Sequence, residues 1–221
     1  MPEIQRTHIS RLMLQILRMG VGSPEDILAG CLDPPDEKLI SSSYSELFTM
    51  EAIQLDEEKD EVEITDVGLI LSEFPLDLRI GLFLMNCLSF GIEYEAIVLA
   101  SIISLDTSPI YHNPSDPIGN VRRRFEYMNG TCSDVLSSFI AYESFKTEVH
   151  RQFPDKIHHS KESKIAWDMY LNMKKINEIY SQVRMIYLRL ERFGISFPSQ
   201  EERNEKYKNG YATHALILRV L

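Results

Sequence analysis

Residues 64–114 read ITDVGLILSEFPLDLRIGLFLMNCLSFGIEYEAIVLASIISLDTSPIYHNP, and their pattern predicts two apolar helices on either side of Gly91. Thr65-Asp66 is a favoured pair at a helix N-terminus, and Pro75 suits the first turn of the next helix. The first helix repeats apolar residues every three or four positions, and the second has a face of small residues for close helix packing. These faces are Leu76, Ile80, Phe83, Leu84, Cys87 and Leu88, then Ile97, Ala100, Ser101 and Ser104.

The composition is that of an ordinary globular protein, and the sequence shows no signal for secretion or for insertion into a membrane. The chain has 221 residues, 44% of them hydrophobic and 25% charged, which is enough for one domain or two small ones. No apolar run approaches the ~20 residues that span a bilayer. The start, MPEIQRTH, has no apolar core of a signal peptide, so we expect nothing in it to direct secretion. The three cysteines, Cys31, Cys87 and Cys132, are far apart, so we expect buried free thiols in a reducing compartment.

Charge is distributed unevenly along the chain. Net charge is −10, which argues against a stand-alone nucleic-acid-binding protein. Residues 1–117 carry 21 acidic and 6 basic side chains, a balance of −15, whereas residues 118–221 carry 12 and 17, a balance of +5. Any contact with a phosphate backbone is therefore expected in the second half.

The first 64 residues predict three helices followed by a hairpin, which is the outline of a winged helix. The third helix and the wing carry mostly acidic side chains, so Coulomb repulsion argues against their binding a duplex, and a structural spacer is the better interpretation. The predicted elements are helices at 7–19, 24–29 and 35–50, and strands at 52–55 and 62–64.

The second half predicts further helices and one basic cluster. Arg122-Arg123-Arg124 is the densest basic run, and it is either a phosphate-contacting surface or a solvated helix start. A helix follows to about Val149, and 150–163 has the composition of a loop. Its histidines, with His158 next to His159, do not form a metal-ligand pattern, so we expect no metal site.

The last predicted helix is the longest, from about Ser163 to Phe193. Lys164, Lys175 and Arg189 are expected within about 20° of each other on its outer side, where a solvated face is the alternative. Its inward stripe is predicted to comprise Met169, Met173, Ile176, Tyr180, Val183, Tyr187 and Leu190.

Several of these residues form a motif that resembles the helicase-associated, or ratchet, domain of DEAH-box RNA helicases. The motif reads T-x-x-G-x-x-L-S-x-x-P-L-D, a helix, a G-x-x-x-E turn, a second helix and an aromatic-x-x-Pro ending. Pro2–Thr7 is also similar to the exit from the family's second motor domain. The matching positions are Thr65, Gly68, Leu71, Ser72, Pro75, Leu76, Asp77, Gly91, Glu95, Tyr111 and Pro114.

The resemblance implies a mainly α fold with a winged-helix domain over 1–64 and a ratchet bundle over 65–221, truncated at its C-terminus. Three positions depart from the family pattern. Glu51 stands where the family has a glycine, so the third helix either continues or ends with strain. Thr131 and Cys132 replace an acid and a histidine. Together with the acidic wing at Asp56–Glu61, these departures are most similar to the spindle-E type, the Tudor-domain helicases of the piRNA pathway.

The resemblance also implies a function. The chain lacks the G-x-x-x-x-G-K-[ST] phosphate loop and a readable catalytic group, so it needs no cofactor and catalyses nothing alone, while ATP and Mg²⁺ belong to the parent helicase. Expected partners are single-stranded RNA, bound weakly, the motor domains of the same chain, and PIWI-pathway proteins in cytoplasmic, perinuclear germ granules (nuage). The parent would act in transposon silencing, germline differentiation and meiosis. The alternative is a helical protein–protein scaffold without RNA contact. The candidate RNA-binding residues are Arg122, Arg123, Arg124, Lys164, Lys174 and Lys175.

Overall fold

The fold is mainly α-helical with one small β-hairpin, as predicted. A computed structural model describes residues 4, 9–56, 61–128, 130, 133–153 and 159–195, with the side chains of residues 159 and 160 excepted. Backbone packing divides the chain into two compact units, Met1–Leu82 and Phe83–Leu221. Within the described ranges, no helix is long and apolar enough to cross a membrane.

The order of elements matches three helices, a hairpin and a helical bundle. The first elements are α1 (Ser10–Met19), α2 (Pro24–Ala29), α3 (Glu37–Thr49), β1 (Ile53–Asp56), β2 (Glu61–Ile64), α4 (Asp66–Glu73) and α5 (Leu78–Ser89). The remaining helices are α6 (Glu93–Ile103), α7 (Pro117–Met128), α8 (Asp134–Gln152), α9 (His159–Asp168) and α10 (Met173–Arg192). The strands pair antiparallel, with Ile53 opposite Ile64 and Asp56 opposite Glu61.

The core of the first unit forms around α1, which packs against α3 and α4. The spacing predicts an inward face of Ile9, Leu12, Met13, Ile16 and Leu17. Ile9, Met13 and Ile16 are buried as predicted, whereas Leu12 is exposed, Leu17 is only partly buried and Leu14 is buried instead. The guanidinium of Arg11, also on α1, donates hydrogen bonds to the carbonyl of Phe74, at 2.5 Å, and to that of Leu76. These carbonyls follow the end of α4 and have no partner within that helix, so Arg11 satisfies them.

The T-x-x-G motif joins the hairpin to α4. The Thr65 hydroxyl accepts a hydrogen bond from the Gly68 amide at 3.1 Å and donates one to the Glu51 carbonyl at 2.6 Å. A β-carbon on Gly68 would lie 2.0 Å from the Ala52 carbonyl oxygen, so only glycine lets α4 approach the hairpin this closely. Because α4 also packs against α1 and β2, it belongs to the first compact unit. The predicted domain boundary at 64–65 stays a prediction.

The second unit is built around α6, which packs against α8 and α10. Eight consecutive residues of this helix, Glu95–Ile102, are buried, so neighbours cover it on all sides. Ala100 and Ser101 are fully buried, which confirms the predicted small-residue face. The Ser101 hydroxyl donates to the Ile97 carbonyl at 2.8 Å, and this bond removes the cost of burying a polar group.

The helix predicted from Ser163 to Phe193 is not continuous, and the prediction was wrong there. The chain ends α9 and starts α10 around Tyr170, whose φ is 58°. The Leu171 amide donates a hydrogen bond to the Ala166 carbonyl at 2.8 Å, and the Tyr170 amide donates one to the Trp167 carbonyl at 3.0 Å. This pair of bonds is a Schellman motif, which ends a helix at a left-handed residue.

This break changes two further expectations. Lys164 now lies on α9, whereas Lys175 and Arg189 lie on α10, so the three do not share one straight helix face. The buried residues of α10 are Ile176, Ile179, Ile186 and Leu190, while Tyr180 and Tyr187 are partly exposed. The predicted stripe was therefore correct at Ile176 and Leu190 and displaced between them.

Two of the three cysteines lie in the described ranges. Cys87 is a buried free thiol as predicted, and burial raises its pKa to about 11. Cys31 is exposed, so the expectation of burial was wrong for it, because it lies in the short connection after α2. Cys132 lies outside the described residues.

Glu51 ends α3 with strain, which is one of the two alternatives that its sequence position predicts. The φ angle of Glu51 is 56°. The Ala52 amide donates a hydrogen bond to the Leu47 carbonyl at 2.9 Å, and the Glu51 amide donates one to the Phe48 carbonyl at 3.0 Å. This is again a Schellman motif, with a glutamate at the position that usually holds glycine. The helix ends on geometry that the side chain disfavours.

We therefore expect Glu51→Gly to stabilise the protein. A left-handed conformation costs a residue with a β-carbon roughly 1–2 kcal/mol, and the extra freedom of glycine in the unfolded chain offsets about 0.5–1 kcal/mol of this. Urea unfolding should show a gain of roughly 0.5–1 kcal/mol in the free energy of unfolding. Glu51→Ala removes the same charge but keeps the β-carbon, so it should not stabilise. An equal gain in both variants would contradict backbone strain as the cause.

Candidate nucleic-acid interface

The three arginines of the basic cluster lie along α7. This helix begins after Asp116, whose carboxylate accepts a hydrogen bond from the Gly119 amide at 2.9 Å. Arg122 and Arg123 both pair with Glu126, at 3.3 Å and 2.8 Å. Arg124 is exposed and pairs with no carboxylate of the described chain. One carboxylate thus serves two guanidinium groups, and exposed pairs of this kind are weak enough for a phosphate to replace.

The three candidate lysines differ in how freely their charge is available. Lys164 on α9 and Lys174 on α10 are exposed, with no ion pair to any residue of the described ranges. The side chain of Lys175 is only 12% exposed, and its ammonium pairs with Asp106 and, at 2.7 Å, with Glu178. Lys175 therefore contributes less free charge to the surface than its neighbour does.

Lys174 breaks a local rule of helix electrostatics. It lies in the first turn of α10, where the positive end of the helix dipole disfavours a cation. Asn172 caps this turn, because its side-chain oxygen accepts a hydrogen bond from the Lys174 amide at 3.0 Å. An uncompensated cation in this position is the kind of local conflict that functional sites retain.

The turn between α9 and α10 is joined to the loop before α7. The Tyr111 amide donates to the Tyr170 carbonyl at 2.7 Å, and the Asn172 amide donates to the Pro109 carbonyl at 2.8 Å. Together they form a bridge between Ile110 and Leu171. The backbone groups that the broken helix leaves unpaired are thereby satisfied.

Side chains of α7 and of Asp116, the residue before it, contact the same turn. The Tyr127 hydroxyl donates to the Met169 carbonyl at 2.8 Å, and the Tyr170 hydroxyl donates to the Asp116 carboxylate. This last bond lowers the pKa of Asp116 and raises the pKa of Tyr170. The Arg123 guanidinium lies 6.0 Å from the centre of the Tyr170 ring. The structure therefore brings the arginine helix to the turn that precedes Lys174.

An aromatic pair beside this turn was not predicted from the sequence. Trp167 is 60% exposed, and its ring centre lies 5.6 Å from that of Tyr111, with the planes 36° apart. A cavity of about 270 Å³ is lined by Tyr111, Asn113, Trp167, Asp168 and Tyr170. A helical pattern treats a tryptophan as core, so only the exposure in the structure separates it from the packed residues.

No metal site is assembled from the described residues. Within those ranges no group of three or more histidines, cysteines or carboxylates lies close enough to hold an ion. His158 and the side chain of His159 lie outside them, so the expectation for that histidine pair stays a prediction.

Comparison with known proteins relates the chain to a segment of DEAH-box ATP-dependent RNA helicases. No protein-family model matches it. The human ATP-dependent RNA helicase DHX29 is 34% identical over 118 residues, 53% of this chain and 8% of the relative. The probable ATP-dependent RNA helicase spindle-E of Aedes aegypti is 26% identical over 204 residues, 88% of this chain and 14% of the relative.

A bacterial relative extends the same relationship. The ATP-dependent RNA helicase HrpA homolog of Haemophilus influenzae is 24% identical over 190 residues, 83% of this chain. The chain spans between 8% and 14% of the length of these three relatives. The similarity therefore concerns one segment of much longer proteins.

The ion pair of Lys175 gives a pH-dependent prediction. The hydrogen bond from Lys175 lowers the pKa of Asp106 below 3.8, so the pair contributes stability above that pH and loses it as pH falls through the folded value. Bonds to Asp106 and Glu178 raise the pKa of Lys175, so this contribution is also lost at strongly alkaline pH. In a carboxyl NMR titration, Lys175→Met should raise the pKa of Asp106 towards its ordinary value, because the largest cause of the lowered pKa is removed.

The matched control is the neighbouring lysine. Lys174→Met removes the same charge one residue earlier and should leave the pKa of Asp106 low. A pKa of Asp106 that stays low in Lys175→Met would show that the ion pair is not its cause.

Proposed function

We propose that this chain is a non-catalytic accessory region of an ATP-dependent DEAH-box RNA helicase, where it guides single-stranded RNA past the motor domains. The observation that carries the proposal is the extent of the similarity. ATP-dependent RNA helicases align with 83% and 88% of the chain, which in turn covers only 14% of each. ATP and Mg²⁺ then act in the parent protein, because the chain itself has no phosphate loop.

The basic surface supports contact with the RNA backbone. Arg122, Arg124, Lys164 and Lys174 extend into solvent, and Arg123 is placed against Tyr170. Guanidinium and ammonium groups on helices bind phosphates without regard to sequence. A motor that translocates along RNA needs this kind of contact, because a base-specific grip would stop it at preferred sites. Lys175 is largely buried and paired with Asp106 and Glu178, so we expect it to orient the start of α10 and to contribute less to RNA binding than Lys174 does.

The acidic half supports an alternative function. Residues 1–117 carry a balance of −15, which would attract a basic protein partner and repel RNA. In that case the chain is a helical interaction scaffold, and its arginines and lysines only form a hydrated surface on the second unit. Salt-dependent RNA binding by the basic half separates the two functions.

A role in the germline is a more specific proposal, which adds a subfamily to the general function. The aligned share of spindle-E and the departures at Glu51, Thr131 and Cys132 support the spindle-E type, and with it piRNA-guided silencing, PIWI-pathway partners and cytoplasmic germ granules. The comparisons do not single out this type, because DHX29 and a bacterial HrpA homolog are also similar. The general proposal does not depend on it.

The test is RNA binding by residues 1–221 as a function of salt. A fluorescent 20-nucleotide oligo(U) should bind with an affinity that falls as salt rises, measured by anisotropy. Arg124→Glu and Lys174→Glu should each weaken binding and lower the slope of log K against log salt by about 0.7 for every phosphate that the variant no longer binds. The same changes should leave the circular dichroism spectrum intact.

Lys38 supplies the matched control for charge. It is exposed on α3 in the acidic half, and Lys38→Glu alters net charge as much as the other two variants do. We expect its slope to equal that of the unmodified chain. Equal slopes in all three variants, or no RNA binding at low salt, would favour the scaffold function.

A further inference from the structure

We infer that the cavity between Tyr111, Trp167 and Tyr170 is a stacking pocket for one nucleobase of single-stranded RNA. The inference rests on the proposed function and adds to it a contact with a base. Phosphate contacts alone hold a strand at its backbone, whereas a stacked base fixes the position of one nucleotide along it.

The exposed tryptophan is the first observation. Trp167 lies at the end of α9 with 60% of its surface in solvent, although burial of an indole is strongly favourable. It is nevertheless held in place, because Tyr111 packs 5.6 Å away and Tyr111 is itself bonded through its backbone to Tyr170. A fixed, exposed indole can bind a planar ring at little further cost in side-chain entropy.

The shape of the cavity suits a single base. The planes of Trp167 and Tyr111 open at 36°, and the cavity of about 270 Å³ lies beside them. This volume is slightly below the roughly 300–1,000 Å³ of drug-sized ligand pockets, so it fits one ring system better than a larger group. Stacking on such a platform tolerates any base, as a moving strand requires.

Three features fix the position of Tyr170, the residue at the turn that lines the pocket. Tyr170 has a left-handed backbone, its hydroxyl bonds Asp116, and a β-carbon at Gly119 would lie 2.6 Å from that hydroxyl oxygen. Glycine at 119 thus leaves room for the Tyr170 ring at the start of α7. The pocket wall is set by the fold before any ligand arrives.

Charges around the pocket favour a base inside it and phosphates outside. Asp168 lines the cavity, and its carboxylate repels a phosphate but can accept a hydrogen bond from a base amino group. Asn113 adds an amide beside it. Lys164 lies three residues before Trp167 and thus on the same face of α9, and Lys174 lies in the first turn of α10, beyond the turn at Tyr170. Cations therefore flank the aromatic pair on both sides along the chain.

A proline-rich peptide also binds aromatic grooves, but it gains nothing from flanking cations. The arrangement of Lys164, Arg123 and Lys174 around the turn favours a polyanion. Binding of such a peptide is therefore one outcome that the experiment must distinguish.

Trp167 is the only tryptophan of the chain, so its fluorescence reports directly on the pocket. The chain is titrated at low salt with oligo(U) and oligo(A), following tryptophan emission and the anisotropy of a label on the RNA. An abasic oligomer of equal length supplies the backbone without bases. We expect both RNAs to quench Trp167, and the abasic oligomer to bind more weakly without quenching.

Variants then test whether stacking contributes to affinity. Trp167→Ala should weaken oligo(A) binding about tenfold or more, while Trp167→Phe keeps part of it. Tyr111→Ala should reduce quenching while the tryptophan signal remains. Phe125 is the matched control, since it is a 69% exposed aromatic residue of α7 that does not line the pocket. Phe125→Ala should change affinity by less than about twofold.

The outcomes separate this inference from the proposed function. RNA binding with a normal salt slope but no quenching, and no effect of Trp167→Ala, overturns the pocket and leaves the proposed function standing. Equal quenching by the abasic oligomer also overturns it. Absence of any RNA binding contradicts the proposed function itself. Quenching by a proline-rich peptide but not by RNA overturns the pocket as a nucleobase site.

Discussion

The left-handed turn at Tyr170 is the constraint on which the second unit's surface depends. A continuous helix through this point would satisfy its own backbone and leave the 109–111 loop without partners. Breaking the helix exchanges those internal bonds for the Schellman pair and for the two bonds to Pro109 and Tyr111. A non-glycine residue in this conformation costs roughly 1–2 kcal/mol, which the bridge and the bond from Tyr170 to Asp116 offset. The arginine helix, the aromatic pair and the start of α10 all owe their positions to this exchange.

Electrostatics separates the chain into parts that suit different partners. The first 117 residues are strongly acidic, and they include the winged helix. The acidic side chains of its third helix and hairpin repel a phosphate backbone. The second half has a moderate excess of positive charge, and the structure neutralises only part of it. Glu126 is shared by two arginines and Lys175 is paired twice, whereas Arg124, Lys164 and Lys174 stay in solvent. The proposed function therefore predicts weak RNA binding by the chain alone, with the remaining RNA contact made by the rest of a longer helicase.

Most of the fold could be predicted from local signals, because its helix starts use ordinary chemistry. Ser23, Thr65 and Ser133 each cap a helix through a side-chain oxygen. The largest error concerns a helix end. Two helices end at left-handed residues other than glycine, Glu51 and Tyr170, and hydrogen bonds to residues distant in sequence hold both turns. Of these, Tyr170 lies within an apolar repeat that continues without glycine or proline, so periodicity alone predicted one helix. Asn172 was the available signal, as a favoured cap just before Met173. Trp167 could not be placed, because periodicity does not distinguish a packed aromatic residue from an exposed one.

Photo-crosslinking tests most directly whether RNA meets the chain on this basic, aromatic surface. Residues 1–221 would be irradiated at low salt with oligo(U) that contains 4-thiouridine at single positions, and the crosslinked peptides identified by mass spectrometry. We expect crosslinks within 117–128 and 161–175, which contain α7 and the turn around Tyr170. Crosslinks concentrated within 9–82, or none under conditions where the RNA is bound, would contradict this expectation.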